Sequence, residues 1–130
     1  MSRLTGSFQV SGWDEKPYHE SAEGKLTLAV VSQSFSGGVA GQGDARWLMS
    51  YRPDGTARFV GLQRVEGEIE GRRGSFVLET AGDFDGKTAT WNATVVGGSG
   101  TGELSGLRGS GRFGAEHGPE AVFELDLSFG

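Results

Sequence analysis

Tyr51 and Gln63 are the two side chains whose type and setting best suit chemistry on a small molecule. Both fall on the odd-numbered face of alternating segments, together with Trp47, Met49, Phe59 and Val65. Arg46, Arg52, Arg58, Arg64 and Glu66 fall on the even-numbered face, so one side reads as apolar and the other as charged. In an apolar enclosure a phenol donates a proton or a hydrogen bond to an oxygen, and a primary amide orients one. Tyr51 and Gln63 are therefore the catalytic candidates. Trp47, Met49, Phe59, Phe76, Leu78, Thr80 and Trp91 are the ligand-binding candidates, mostly apolar walls with Thr80 as a further polar group, which is the usual make-up of a small-molecule pocket. The plainer account of these aromatic and aliphatic residues is that they form a core.

Other motifs reduce to turns and strands. Gly109-Ser110-Gly111-Arg112-Phe113-Gly114 has dinucleotide-loop spacing, but Glu116-His117-Gly118-Pro119 cannot open the helix whose N-terminus would meet a pyrophosphate. Gly82-Asp83-Phe84-Asp85-Gly86-Lys87-Thr88 is one residue short of a phosphate loop, and its acidic pair is too brief for a calcium loop. His19 and His117 lie in predicted loops without zinc-ligand spacing. No metal site and no cofactor are expected. Glu66, Glu68 and Glu70 share an alternating run, and Arg72 and Arg73 across the turn balance them as a solvated strand end.

Composition narrows the class. A chain of 130 residues suits a single domain, 1–130, able to close a core. There is no cysteine, so thiolate chemistry and disulfides are excluded. The net charge is −5, and nine Arg and three Lys are spread along the chain. Nucleic-acid binding, which needs a concentrated basic face, is therefore not expected. No apolar run reaches the roughly 20 residues that span a bilayer, and the first residues lack a signal pattern; the expectation is a soluble cytoplasmic protein without a membrane partner. The 24 glycines, dispersed among alternating runs, suit the tight turns and bends of a closing sheet.

These residues are to be positioned by strands. Pro53-Asp54-Gly55 is a turn, since proline presets φ, aspartate bonds nearby backbone and glycine takes positive φ. A second break at Gly71–Gly74 makes Ser50–Gly82 a three-strand meander. A first strand runs from Leu4 to Trp13, with Phe8 and Val10 on one face, and a polar loop from Trp13 to Gly24 follows. A second strand, Lys25–Phe35, has a solid apolar centre at Leu28, Ala29, Val30 and Val31. Breaks at Gly37-Gly38 and Gly41-Gln42-Gly43 precede a third strand, Asp44–Arg52. Thr56–Glu66, Ser75–Phe84 and Lys87–Val96 come next, the last two joined at Asp85-Gly86. Thr101–Leu107 suits one helical turn, Leu107–Phe113 a bent strand, and the final strand turns Ala121, Phe123, Leu125 and Leu127 to one side. One-faced antiparallel strands close either as a barrel or as a two-sheet sandwich. Long strands, mostly short turns and glycines inside strands favour the barrel, so the prediction is an all-β, eight-stranded antiparallel β-barrel with at most short helical turns. Such a barrel is filled by side chains or holds one small ligand.

Trp13-Asp14-Glu15-Lys16-Pro17-Tyr18, Tyr51-Arg52-Pro53-Asp54-Gly55, Phe59-Val60-Gly61-Leu62, Gly74-Ser75-Phe76-Val77-Leu78 and Gly98-Ser99-Gly100-Thr101-Gly102-Glu103-Leu104 resemble a bacterial family of small proteins of unknown function. The fold of that family is the allene-oxide-cyclase-like barrel. The resemblance implies an internal cavity, a homo-oligomer (dimer or trimer), and kinship with cyclases that close rings inside an apolar barrel. Family members often carry Glu at the position of Gln63 and His at that of Thr80; an amide and a hydroxyl are poor general acids and bases near neutral pH. The expected function is binding of a small apolar molecule, with cofactor-free isomerisation or cyclisation on one reading. A non-catalytic carrier is the alternative. A third has the interior filled and the outer surface acting as an interface.

Overall fold

The computed structural model describes residues 2–115 and 121–129. Eight strands run in order: β1 (Ser2–Ser21), β2 (Gly24–Gly37), β3 (Ala40–Tyr51), β4 (Ala57–Ile69), β5 (Arg72–Phe84), β6 (Ala89–Val95), β7 (Leu107–Ala115) and β8 (Ala121–Phe129). Each pairs antiparallel with the next, and β8 pairs with β1 to close the ring. The one helical turn is a 3-10 turn at Gly102–Leu104, within the predicted stretch.

Period-two alternation builds these strands. In β3, Ala45, Trp47 and Met49 are buried while Asp44, Arg46, Leu48 and Ser50 are exposed. β4 continues this with Phe59, Gln63 and Val65 inside, and β5 with Phe76, Leu78 and Thr80. The β3–β4 turn is closed by the Gly55 amide, which donates to the Arg52 carbonyl at 3.0 Å. Asp54 accepts from the Thr56 hydroxyl and amide, and these bonds hold its carboxyl below the usual carboxylate range. At the β5–β6 turn, Asp85 accepts from the amides of Thr88 and Lys87, which lower its carboxyl in the same way. The phosphate-loop-like stretch is thus a hairpin, and Gly109–Gly114 lies inside β7.

Five local expectations are corrected. The stretch Trp13–Ser21 is not a loop; it continues β1 and pairs with β2 from Trp13↔Val31 to Ser21↔Gly24. Its polar sequence hides the strand because β8 pairs with β1 only from Ser2 to Phe8. Beyond that, β1 has one neighbour among the described residues, and an edge strand tolerates charge and Pro17. Register shifts at Val10/Gly12 and Pro17/His19 bend it. Gly41-Gln42-Gly43 does not break the chain but lies within β3. The apolar centre of β2 is not buried as a block, since Ala29 and Val31 point inward while Leu28 is exposed. The β4–β5 turn sits at Glu70-Gly71, both with positive φ, as a two-residue hairpin turn requires; Arg72 to Gly74 already belong to β5. Glu66 pairs with Arg64 on its own strand rather than with Arg72 or Arg73. The expected turn at Gly118-Pro119, and His117, lie outside the described residues.

Glycine opposite tryptophan is what lets the ring close around large side chains. Gly61 is the cross-strand partner of Trp47, and Gly82 that of Trp91. A Cβ at Gly61 would overlap the Arg46 carbonyl oxygen and come within 2.8 Å of the Trp47 indole. Gly61→Ala is expected to cost about 1–3 kcal/mol of stability by overpacking. Gly97→Ala, where an added Cβ meets nothing, is expected to stay within about 0.5 kcal/mol. Urea denaturation of the two variants checks both.

Candidate functional site

Trp91 is the hub of the interior. Its ring stacks on Phe113 at 5.2 Å with an interplanar angle of 3°. It meets Trp47 edge-on at 5.0 Å, Phe8 at 5.7 Å and Phe59 at 6.0 Å. Phe35 and Phe123 extend the cluster on the far side of Phe113. Edge-on and offset contacts of this kind add roughly 0.5–1.5 kcal/mol per pair beyond area burial, so the cluster is both a packing element and a rigid wall.

A cavity of about 220 Å³ lies against this wall. It is bounded by Phe8, Val10, Trp13 and Gln33 from β1 and β2, by Trp47, Met49 and Tyr51 from β3, and by Phe59, Phe84, Ala89 and Trp91 from β4 to β6. These residues gather toward the end of the ring that carries the β3–β4 and β5–β6 turns. The volume lies between the roughly 150 Å³ of an apolar cavity that accepts benzene and the roughly 300 Å³ at the lower bound for drug-sized ligands.

Of the residues singled out from the sequence, Trp47, Met49, Tyr51, Phe59 and Trp91 meet on this cavity. Gln63, Phe76, Leu78 and Thr80 are buried but do not bound it. Phe76 and Leu78 pack in the core, and Thr80 supports the wall from behind. The Trp47 Nε1–H donates to Thr80 Oγ1 at 2.9 Å, and that hydroxyl donates to the Gly61 carbonyl at 3.0 Å. Gln63 likewise acts through its neighbours. Its Oε1 accepts from Trp91 Nε1 at 3.4 Å, and its Nε2 donates to Gln33 Oε1 at 2.7 Å. Gln33 was missed in the sequence because Ser32-Gln33-Ser34 reads as the polar end of a strand. Its one signal was parity, since it alternates in phase with Ala29 and Val31.

The rim is where β1 matters. Trp13 returns toward Trp47, with ring centroids 6.2 Å apart. Glu15, placed in a loop by the sequence reading, accepts from Trp13 Nε1 at 3.0 Å and from the buried Thr27 hydroxyl at 2.6 Å. Tyr51 is half-buried there, its hydroxyl 3.8 Å from Met49 Sδ, with the Lys25 ammonium 5.0 Å above its ring. Burial, with a smaller contribution from the nearby Glu15 carboxylate, pushes the Tyr51 phenol well above its usual range. Tyr51 therefore keeps its proton at neutral pH and acts as a hydrogen-bond donor, a weaker acid than a free phenol. Val10, expected to face inward with Phe8, stands at this rim, 48% exposed. His19 is exposed on β1. Among the described residues, no three His, Asp or Glu side chains converge as a metal site, and no helix is long and apolar enough to cross a membrane.

Residues 4–127 match a family described as "Protein of unknown function (DUF3224)". The chain belongs to that family. A crystal structure of a DUF3224 protein of unknown function from Shewanella oneidensis MR-1 is similar to it, with 27% identity and a TM-score of 0.80. The alignment covers 100% of this chain and 98% of the Shewanella protein. No match emerges among curated proteins. The DUF3224 chain is thus an all-β closed ring of a family whose name assigns no activity, and its cavity must be judged by its own chemistry.

The wall of that cavity carries one titratable group, Tyr51. It lacks the acid–base pair that proton-transfer catalysis uses. What it offers is aromatic surface, a soft methionine and a few fixed polar atoms. Gln63→Leu would strand the buried Trp91 Nε1–H and leave Gln33 Oε1 without its donor. The expected loss is about 1–3 kcal/mol for each stranded group, read from urea denaturation, with Trp91 emission as a local probe.

Proposed function

We propose that this DUF3224 protein encloses one small, largely apolar molecule in the cavity between Trp47, Trp91 and Tyr51, as a carrier or sequestering protein. The observation that supports this most directly is a void of about 220 Å³ left beside a densely packed aromatic cluster. Side chains packed this tightly beside a cavity of that size favour an occupant over a packing defect. The ring belongs, on this reading, with the allene-oxide-cyclase-like barrels. Cyclisation or isomerisation is the second reading. Holding a flexible substrate folded removes entropic barrier, on the order of 7–11 kcal/mol at the limit. Tyr51 would then donate a hydrogen bond to a developing oxyanion, with Gln63 holding the wall in place. The carrier is preferred because the one carboxylate near Tyr51, Glu15, stands outside the cavity lining and is already held by Trp13 Nε1 and the Thr27 hydroxyl.

The test is to purify the protein natively, release its contents and identify them by mass spectrometry, then titrate the compound back while following tryptophan emission. Saturable binding with the compound recovered unchanged supports the carrier, and conversion to a ring-closed or isomeric product supports the enzyme. Ala89→Phe, which fills the cavity from β6, is expected to weaken binding at least about tenfold, about 1.4 kcal/mol. Undiminished binding by that variant would place the ligand elsewhere.

The exterior supports a further reading that is compatible with the first. Leu28, Leu48 and Val60 are cross-strand partners on the outer face of β2, β3 and β4, each more than 40% exposed, with Leu62 beside them. Charges of both signs, Asp44, Arg46, Arg64, Glu66 and Glu79, share that face. Such a patch is self-complementary in the way a two-fold interface requires, so a second copy of this chain is the proposed occupant. Sedimentation is expected to show a dimer that Leu48→Asp converts to a monomer; a wild-type monomer at high concentration would reject the interface.

A further inference from the structure

Every side-chain nitrogen donor on the cavity wall is spent except one. Trp13 Nε1 donates to Glu15, Trp47 Nε1 to Thr80 and Trp91 Nε1 to Gln63, while the Tyr51 hydroxyl lies against Met49 Sδ. Gln33 bounds the same cavity, is wholly buried, and its Nε2 has no hydrogen-bond partner. Among the described residues it is the buried side-chain polar atom left in that state. Its identity as a donor follows from the chain of bonds behind it. Indole Nε1–H only donates, so Trp91 fixes Gln63 with its oxygen toward the indole and its Nε2 toward Gln33. Gln33 must then present Oε1 to Gln63, which leaves its NH₂ group unpaired. A buried amide donor without an acceptor costs roughly 1–3 kcal/mol, and native structures seldom keep such a group without a use.

From this we infer that the occupant carries a neutral carbonyl oxygen, which accepts a hydrogen bond from Gln33 Nε2 while the rest of the molecule lies against Trp47, Phe59 and Trp91. The unspent group is a donor, so the ligand supplies an acceptor. No Lys, Arg or His bounds the cavity, so a carboxylate would lose its hydration without gaining a counter-ion. The negative Glu15 near Tyr51 adds to that penalty. A ketone, aldehyde, ester or amide of about one ring's bulk satisfies both conditions. The inference rests on the binding reading above and names its ligand class. It also turns Gln63 into a positioning residue, which orients Gln33 from behind the wall.

The test compares an isosteric pair of probes, cyclohexanone and methylenecyclohexane, on the wild-type protein and on Gln33→Leu. Binding is followed by calorimetry, and the carbonyl stretch of bound cyclohexanone by infrared difference spectroscopy. The expected result is a bound carbonyl band below that of cyclohexanone in hexane, the position it would take in the same apolar cavity without a donor. Cyclohexanone affinity should fall about tenfold in Gln33→Leu, with methylenecyclohexane held or improved. A band at the hexane position, as when bound water already satisfies Gln33, or equal losses for both probes, would overturn the carbonyl assignment while leaving the cavity a binding site. Failure of both probes to bind would overturn the binding reading and the assignment with it. Should Gln33→Leu not fold, the infrared band on the unaltered protein decides.

Discussion

Closing eight strands into a ring leaves an interior that must be filled, and aromatic side chains laid across glycine do the filling here. Trp47 lies over Gly61 and Trp91 over Gly82, in each case as direct cross-strand partners. A strand without a Cβ at that point lets an indole drop close to the neighbouring backbone, so two bulky rings fit where ordinary residues would hold the sheet apart. The Trp91–Phe113 stack and the contacts to Phe8, Trp47 and Phe59 then tie five strands together through one cluster. Most other features of the interior are consequences of where that cluster sits.

One consequence is an uneven core. Toward the end that holds the 3-10 turn, Ile69, Phe76, Leu104 and Leu107 are fully packed and the ring is solid. On the opposite side of the aromatic cluster the rings end before the strands do, and the cavity occupies the remainder. The long first strand and the rim residues Trp13 and Tyr51 roof it without filling it. The cavity thus has an aromatic wall on one side and a soft methionine and half-exposed rim on the other.

The polar atoms inside follow a single thread. Trp47 is satisfied by Thr80, Trp91 by Gln63, and Gln63 in turn by Gln33. Built of amides, a hydroxyl and indoles, this thread is neutral at every pH in the physiological range, so it has hydrogen-bond direction but no buried charge. That suits recognition of a neutral molecule better than proton transfer. The raised phenol of Tyr51 points the same way, because a group that holds its proton more tightly donates a hydrogen bond but parts with the proton less readily.

Alternation alone was enough to read most of the strands and their inward faces. Trp47 and Met49, Phe59 and Gln63, Phe76 and Thr80, Trp91 and Ala93, Phe123 and Leu125 each recur at period two, and a pleated strand turns such residues to one face whatever its neighbours are. The turns at Pro53-Asp54-Gly55 and Asp85-Gly86 were legible for the same local reason, since their chemistry is contained within a few residues. What remained hidden depended on partners far away in sequence. The outer half of β1 is polar on both faces, and only pairing with β2 makes it a strand that carries Trp13 and Glu15 to the rim. Parity could place Gln63 and Thr80 indoors, yet it was the edge-on contact of Trp47 with Trp91, between β3 and β6, that put both behind the cavity wall. Gln33 acquired its unpaired donor only when Trp91 fixed Gln63, a constraint running through three strands. Periodicity is a property of neighbouring residues and is written in the chain; which polar atom is left unspent is a property of packing, and only the closed ring decides it.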